Sequence, residues 1–364
     1  MDKSTYTFQA LSEKYEDFRG PAFTIKVDGK TLDSKELPIV QLEVNLSDSL
    51  IGGCKFSVES LYDYEKSKWI NSLEESIKVG DTVTVSGGYG KQEDLFYGYV
   101  YEYHLEYSKD RPPRLEVRAV DGLEFLCHCM EPVYHGNKTP KAVVEEIFRK
   151  VISAGYAKKM KVDGMEDLLT PLVKELTSDY DYLRLLGRMY GLTLINIRGE
   201  LIFSDLISDS TSLISLTLGA GLLSFRKRTS LEHQVGKVEI RGKDVNQKPI
   251  TGIADRVTVG DSGKKWAGEV APAIKKTGVR LYNEYVRTEA ECKRVAQSRL
   301  NRLALSFVQG SGRCVGLPEI IPGRYISIKG VDAMTAGNYY ISGVTHRFSR
   351  EGYYTDFEVK GARA

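Results

Sequence analysis

Apolar and polar residues alternate with a period of two along most of this chain, the pattern of strands with one buried and one wet face. The last forty or so residues show it most clearly (roughly a three-strand span). There, Ile326 and Ile328 alternate with Ser327 and Lys329, a long segment runs from Tyr339 to Phe348, and Tyr353, Thr355, Phe357 and Val359 alternate with Tyr354, Asp356, Glu358 and Lys360. Pro322-Gly323, Gly330, Gly337-Asn338 and Ser349-Arg350-Glu351-Gly352 punctuate these runs. A β-meander is predicted, with glycine in the hairpin loop where positive φ is needed.

The first half reads the same way. Residues 1–20 are polar and predict a poorly ordered arm. Phe23, Ile25 and Val27 alternate up to an Asp28-Gly29 turn, followed by Leu42, Val44 and Leu46, then Phe56 to Glu59. Tyr62 to Leu73 predicts a short surface helix. Val83 and Val85 precede Gly87-Gly88. A tyrosine-rich strand then places Tyr97, Tyr99, Tyr101, Tyr103, Leu105 and Tyr107 on one face and Gly98, Val100, Glu102, His104 and Glu106 on the other. That row suits a sheet face packed on its own core and equally one covered by a partner subunit. Leu115, Val117 and Ala119 return.

The period lengthens to that of a helix in the middle of the chain. Thr139-Pro140 is a start signal, and Val143, Val144, Ile147, Phe148, Val151 and Ile152 form one stripe. Ser178 with Asp181 predicts a capping box, Leu183, Leu186, Met189 and Tyr190 the stripe, and Gly191 the stop. A hairpin turns at Arg198-Gly199. Residues 130–207 therefore read as a small α/β insert. Strands resume at Leu213–Leu218, Leu222–Arg226 and Lys237–Arg241. Residues 243–285, rich in Gly, Pro and Lys, predict a long insertion with little periodicity, and Thr288 with Glu291 caps a helix over 288–307.

The meander has an earlier echo. Gly80–Val85 lines up with Gly323–Ile328, Tyr99-Val100 with Tyr340-Ile341, Tyr103 with Val344, Tyr107-Ser108 with Phe348-Ser349, and Leu115–Arg118 with Phe357–Lys360. Order and spacing favour an internal duplication. The expected fold class is α+β, mostly β: an N-terminal arm (1–20), a tube-like antiparallel β-barrel (21–129), the α/β insert (130–207) and a second tube-like barrel (208–364).

A length of 364 residues accommodates these cores. The 51 basic and 49 acidic side chains give a net charge of +2 and no electrostatic case for nucleic acid or a membrane surface. Five scattered cysteines imply no disulfide framework. The 22 tyrosines, against 12 Phe and 2 Trp, suit β-surfaces and interfaces. The first residues lack an apolar signal-peptide core and no stretch is long enough for a helix to span a bilayer, so synthesis and assembly in the cytoplasm without export are expected, with no membrane insertion. Cys127-His128-Cys129 with His135 is the one Cys/His cluster; it lacks a knuckle spacing and reads as small residues at a strand end. Gly87-Gly88-Tyr89-Gly90 has no following Lys-Ser/Thr. His346 lacks a nameable acid or nucleophile partner and reads as structural. No catalytic, cofactor-binding or metal site is predicted.

The ordered motifs resemble the phage late control gene D family, baseplate hub proteins of contractile tails, and the hub part of the VgrG-like spike proteins of type VI secretion. The resemblance is carried by Ser178 and Asp181 through Gly191, Gly199 to Phe203, Leu218-Gly219, Val238 to Gly242, Pro322-Gly323, Gly330, Gly337 to Ile341 with Tyr340, Val344 to Phe348 with His346, and Gly352-Tyr353-Tyr354-Thr355. It covers about 130–361 by motif and the first barrel by architecture only. It implies a homotrimer whose two barrels per chain make a pseudo-sixfold ring, joining a sixfold tail tube (or tube-initiator protein) to a threefold spike. The end of the sequence at Ala364 predicts a separate spike protein. Other baseplate components would be further partners, the 243–285 insertion contacting one of them, and the mature location would be the baseplate of a phage tail or tail-like particle. Tyr97, Tyr99, Tyr101, Tyr103 and Tyr107 are the candidate barrel-wall or interface positions. A carbohydrate-binding or adhesin module, and a cell-wall hydrolase component, are the alternatives.

Overall fold

In the computed structural model, which describes residues 4–32, 39–59, 62–69, 76–136, 138–165, 173–261 and 263–364, the alternating segments pair into one 13-stranded sheet whose far end closes on itself. The first half supplies β1 (Ala22–Val27), β2 (Lys30–Leu32), β3 (Ile39–Ser47), β4 (Gly53–Glu59), β5 (Tyr62–Asp63), β6 (Lys68–Trp69), β7 (Thr82–Gly88), β8 (Gln92–Glu106) and β9 (Arg114–Val120). The middle adds β10 (Val133–Tyr134), β11 (Lys159–Val162), β12 (Val173–Lys174), β13 (Thr193–Ile197) and β14 (Glu200–Ser204). The rest supplies β15 (Ser212–Leu218), β16 (Gly221–Thr229), β17 (Lys237–Lys243), β18 (Pro249–Ala254), β19 (Gly278–Tyr282), β20 (Val308–Val315), β21 (Tyr325–Lys329), β22 (Gly337–Ser349) and β23 (Gly352–Gly361).

The sheet order is β2-β1-β7-β8-β9-β4-β3-β22-β21-β15-β16-β20-β23, and β22 also pairs with β23. That extra pairing closes β22, β21, β15, β16, β20 and β23 into a barrel. The first half does not close among the described residues, contrary to the expectation of two barrels. The physical reason is that the outer edge of β3 is occupied: Leu42–Ser47 pair with Phe348–Gly343 of β22. Even so, β7-β8-β9-β4-β3 and β21-β22-β23-β20-β16 share one spatial order, and every neighbouring pair within each set is antiparallel. The next strand differs: β1 runs antiparallel to β7, whereas β15 runs parallel to β21.

One hydrophobic core runs through both halves, and a second lies inside the insert. The insert packs helices Pro140–Ser153 and Asp179–Tyr190 against the sheet β11-β14-β13. Helix Gly122–Cys127 joins it, burying Leu123 and Leu126, so the Cys127-His128-Cys129 run closes a helix rather than a strand. Ser178 caps the helix through the Asp181 N–H at 3.0 Å, and Gly191 ends it at φ 74°, a left-handed value that favours glycine.

Three expectations change. The N-terminal segment is folded: Thr7 caps helix Phe8–Lys14, and Leu11 and Tyr15 are buried. Its polar residues are anchors, since Lys14 meets Glu93 at 2.7 Å and Glu319 at 2.9 Å, and the Tyr15 hydroxyl donates to Glu319 at 2.7 Å. Instead of a helix, Tyr62–Trp69 forms the β5–β6 hairpin, with Ser67 at φ 52° and the ring of Tyr62 packed edge-on to Trp69; residues 70–73 lie outside the described residues. Much of 243–285 is regular, because β18-β17-β19 form a sheet that carries helix Glu289–Ala304, and Ile250, Ala254 and Trp266 of this stretch are buried. That helix starts on the capping box of Thr288 and Glu291.

Candidate assembly surface

The middle of the long sheet, β8-β9-β4-β3-β22-β23-β20-β16, is a continuous antiparallel surface. Because strand side chains alternate, one face takes every second residue. On the inner face Val117, Phe56, Leu42, Val44, Val344, Phe348, Phe357, Val359 and Val308 are all buried. The other face carries an ionic lattice that crosses strand boundaries. Arg118 pairs with Glu102 at 3.0 Å, Lys55 with Glu116 at 2.8 Å, and Arg347 with both Glu43 at 2.6 Å and Asp356 at 3.0 Å. Arg313 grips Asp356 with two nitrogens, at 2.6 and 3.0 Å. These two guanidinium groups hold the Asp356 carboxyl below the usual range despite its partial burial. A groove of about 730 Å³ lies over this face, lined by Asn45, Ser47, Arg226, Arg313, Arg347 and Asp356 among others.

His346 and Thr355 are polar residues on the inner face that meet through one imidazole nitrogen, while the buried Nε2 has no hydrogen-bond partner among the described residues. His346 Nδ1 lies 3.2 Å from the Thr355 hydroxyl and 3.0 Å from that of Tyr353. Tyr353 stacks on Phe348 at 3.9 Å, and Phe348 meets Phe23 of β1 edge-on. Full burial, with the nearby Arg198 cation, lowers the His346 pKa to about 3, so the imidazole is neutral. This cluster sits at the β3–β22 joint between the halves. Tyr340 is buried beside Tyr325, Pro322-Gly323 and Gly330 flank β21, and Gly337 and Gly352 begin β22 and β23. Gly219 sits in the β15–β16 corner and Gly242 in β17 against Val286. Ser178, Asp181, Gly191 and Gly199 stay in the insert. The motif residues thus fall in two structural groups, one in the C-terminal half and one in the insert.

The tyrosine row is split. A β-bulge between Val100 and Glu102 shifts the register, so Val100 and Tyr103 face the same side as Ala119 and Val117, and Tyr99 the opposite side. Tyr99 stacks on Tyr156 of the insert at 3.9 Å, and Tyr97 donates to the Gly155 carbonyl at 2.7 Å. Tyr101 lies under Arg118. Tyr103, Leu105 and Tyr107 remain 43 %, 41 % and 55 % exposed although they continue the apolar face. Tyr107 accepts a hydrogen bond from Trp69 at 3.0 Å.

The sequence reading missed a buried ion pair. Lys174 and Asp179 meet at 2.5 Å, and Lys150 joins Asp179 at 2.7 Å. Asp179 directly follows the Ser178 cap, but its partner comes from β12, and nothing in periodicity links the two.

The described residues contain no group of three or more His, Cys, Asp or Glu placed to hold a metal, and no helix long and apolar enough to cross a membrane. No curated protein sequence matches the chain. Among solved structures, the 43 kDa tail protein of prophage MuSo2 from Shewanella oneidensis is similar over 94 % of this chain and 99 % of its own, at 16 % identity and a TM-score of 0.68. A tail protein from Neisseria meningitidis MC58 is similar over 94 % and 96 %, at 12 % identity and 0.65. An Escherichia coli component of the type VI secretion system, described as structurally similar to the bacteriophage T4 tail proteins gp27 and gp5, is similar over 93 % and 76 %, at 14 % identity and 0.57. The chain shares its fold with these tail proteins and with the type VI secretion component. The family model of the Alg8 N-terminal domain matches residues 19–350, and the chain belongs to that family.

Proposed function

We propose that this protein is a non-enzymatic baseplate hub of a contractile injection machine. In this reading it is a homotrimer that joins a sixfold tail tube to a threefold central spike, among other baseplate components, after assembly in the bacterial cytoplasm. The observation that carries the proposal is the repeated strand order: β7-β8-β9-β4-β3 and β21-β22-β23-β20-β16 are two like-built units in one chain. Three copies then present six similar units around a threefold axis, which is what a symmetry adaptor needs. A shared origin by duplication explains why bulges fall at matching places, between Val100 and Glu102 and between Ile341 and Gly343. The likeness to tail proteins and to a type VI secretion component supports the same job. Each subunit contact in such a ring would bury ~2,000 Å² or more, as obligate interfaces do.

The test is assembly. Purified protein, alone and mixed with tube and spike proteins from the same locus, is examined by native mass measurement and electron microscopy. A three-chain ring that caps tube on one side and spike on the other is expected. A chain that stays monomeric at micromolar concentration with both partners present would sink the reading.

A further inference from the structure

The joint inside the chain has matching strand edges elsewhere that stay unpaired among the described residues. In the second unit, one edge of β22 is shared: Gly337–Tyr340 pair with β21, and Gly343–Phe348 pair with β3 of the first unit. The matching edge of β8 in the first unit is half empty. Gln92–Tyr99 pair with β7, and beyond the bulge no described strand lies on that side of Glu102–Glu106. The donor of the internal joint is β3, and its counterpart is β16. That strand pairs with β20 along Leu222–Thr229, but on its other edge meets β15 only at Gly221 and Leu222. Among the described residues, then, β8 leaves an acceptor edge unfilled and β16 a donor edge unfilled, and natural sheets seldom leave such edges open.

Register fixes how they would meet. Tyr103 lies opposite Val117 and Val344 opposite Phe357; Val117 lies opposite Phe56 and Phe357 opposite Gly312; Phe56 lies opposite Leu42 and Gly312 opposite Phe225. Tyr103 thus corresponds to Val344, Glu106 to Arg347, Tyr107 to Phe348, Leu42 to Phe225 and Glu43 to Arg226. Inside the chain Phe348 faces Leu42, and Arg347 faces Glu43 with an ion pair at 2.6 Å. Transferred to the open edges, Tyr107 faces Phe225 and Glu106 faces Arg226. The charges are exchanged and remain complementary. Among the described residues neither Glu106 nor Arg226 makes an ion pair, and both are exposed. Tyr103 and Leu105 offer exposed apolar surface on this face, and Tyr107, packed on one side against Tyr62 and Trp69, keeps its other side exposed.

We propose that the β8 edge of one copy pairs antiparallel with the β16 edge of the next copy, from Tyr103 opposite Thr229 to Tyr107 opposite Phe225, with Glu106 beside Arg226. The occupant is a second copy of this chain, because the contact is head-to-tail and each copy supplies both halves of it. The pairing rests on the hub reading for its closure into a ring.

The full chain tests it in two ways. In Glu106→Cys with Arg226→Cys, mild oxidation should link chain to chain, while Glu106→Cys with Arg228→Cys, one register step away, should link far more slowly; each single-cysteine variant controls for the native thiols. Glu106→Arg and Arg226→Glu should each weaken self-association about tenfold or more, and the two together should recover most of it. An assembly of normal mass in which neither reversal matters and both cysteine pairs behave alike would place the interface elsewhere, while leaving the hub intact. A chain that never associates, even with tube and spike proteins, would overturn both.

Discussion

His346 is buried among apolar side chains, and its neutral imidazole contributes a pH dependence. Its folded pKa is lowered to about 3 by burial, against an ordinary value near 6.5. The unfolded chain therefore takes up a proton that the folded chain refuses. Stability from this site is fully present above about pH 6.5 and falls as pH drops toward 3, by about 1.4 kcal/mol per unit. The carboxyl of Asp121, raised to about 7 by burial, acts with the opposite sign in the same range, so the comparison must be between variants. His346→Gln should gain on the natural protein by about 2 kcal/mol between pH 7 and pH 5, measured from urea midpoints. A constant gap across that range would show that the imidazole titrates freely. At His346 the sequence offers no nameable partner for chemistry, and the residue reads there as structural. Its contacts with Tyr353 and Thr355 were legible only as strand alternation. The pair Lys174–Asp179 was not legible, because a buried ion pair is made in space and leaves no period.

At the level of elements, legibility followed local chemistry. Capped helices at Thr139, Ser178 and Thr288, and the glycine turns, are where side chain and backbone specify each other within a few residues. The bulge in β8 is different. It inserts one residue into an unbroken apolar-polar alternation and shows only in the pairing with β9, so Tyr97 and Tyr99 turn toward the insert unannounced. The same blind spot explains the two-residue slip in the sequence alignment of Leu115–Arg118 with Phe357–Lys360. Register pairs Val117 with Tyr103 and Phe357 with Val344, and a shift of two keeps every side chain on its face. The N-terminal helix was missed because it holds few apolar residues, but Leu11 and Tyr15 are buried ones. Leu11→Ala should cost about 2–5 kcal/mol in chemical unfolding if the segment is packed. A loose arm would give less than about 0.5 kcal/mol.

For the whole molecule, the decisive feature is that the two halves share a sheet while the insert keeps its own core. The β3–β22 ladder joins the halves through Leu42–Ser47, and Phe348 reaches across to Phe23. Leu42, fully buried in the shared core, belongs to both sides of that joint, whereas Phe148 belongs to the insert. Cooperative units follow contiguous cores, so damage should spread as far as the core it strikes and weaken beyond it. Leu42→Ala, at a cost of about 2–5 kcal/mol, should speed amide exchange in β7–β9 and in β21–β23 together. Phe148→Ala, at about 3–5 kcal/mol, should speed exchange chiefly in helices Pro140–Ser153 and Asp179–Tyr190 and in β13–β14. If Leu42→Ala loosened the first half alone, the long sheet would be two units in mere contact. The internal joint would then be too weak a template for a joint between chains.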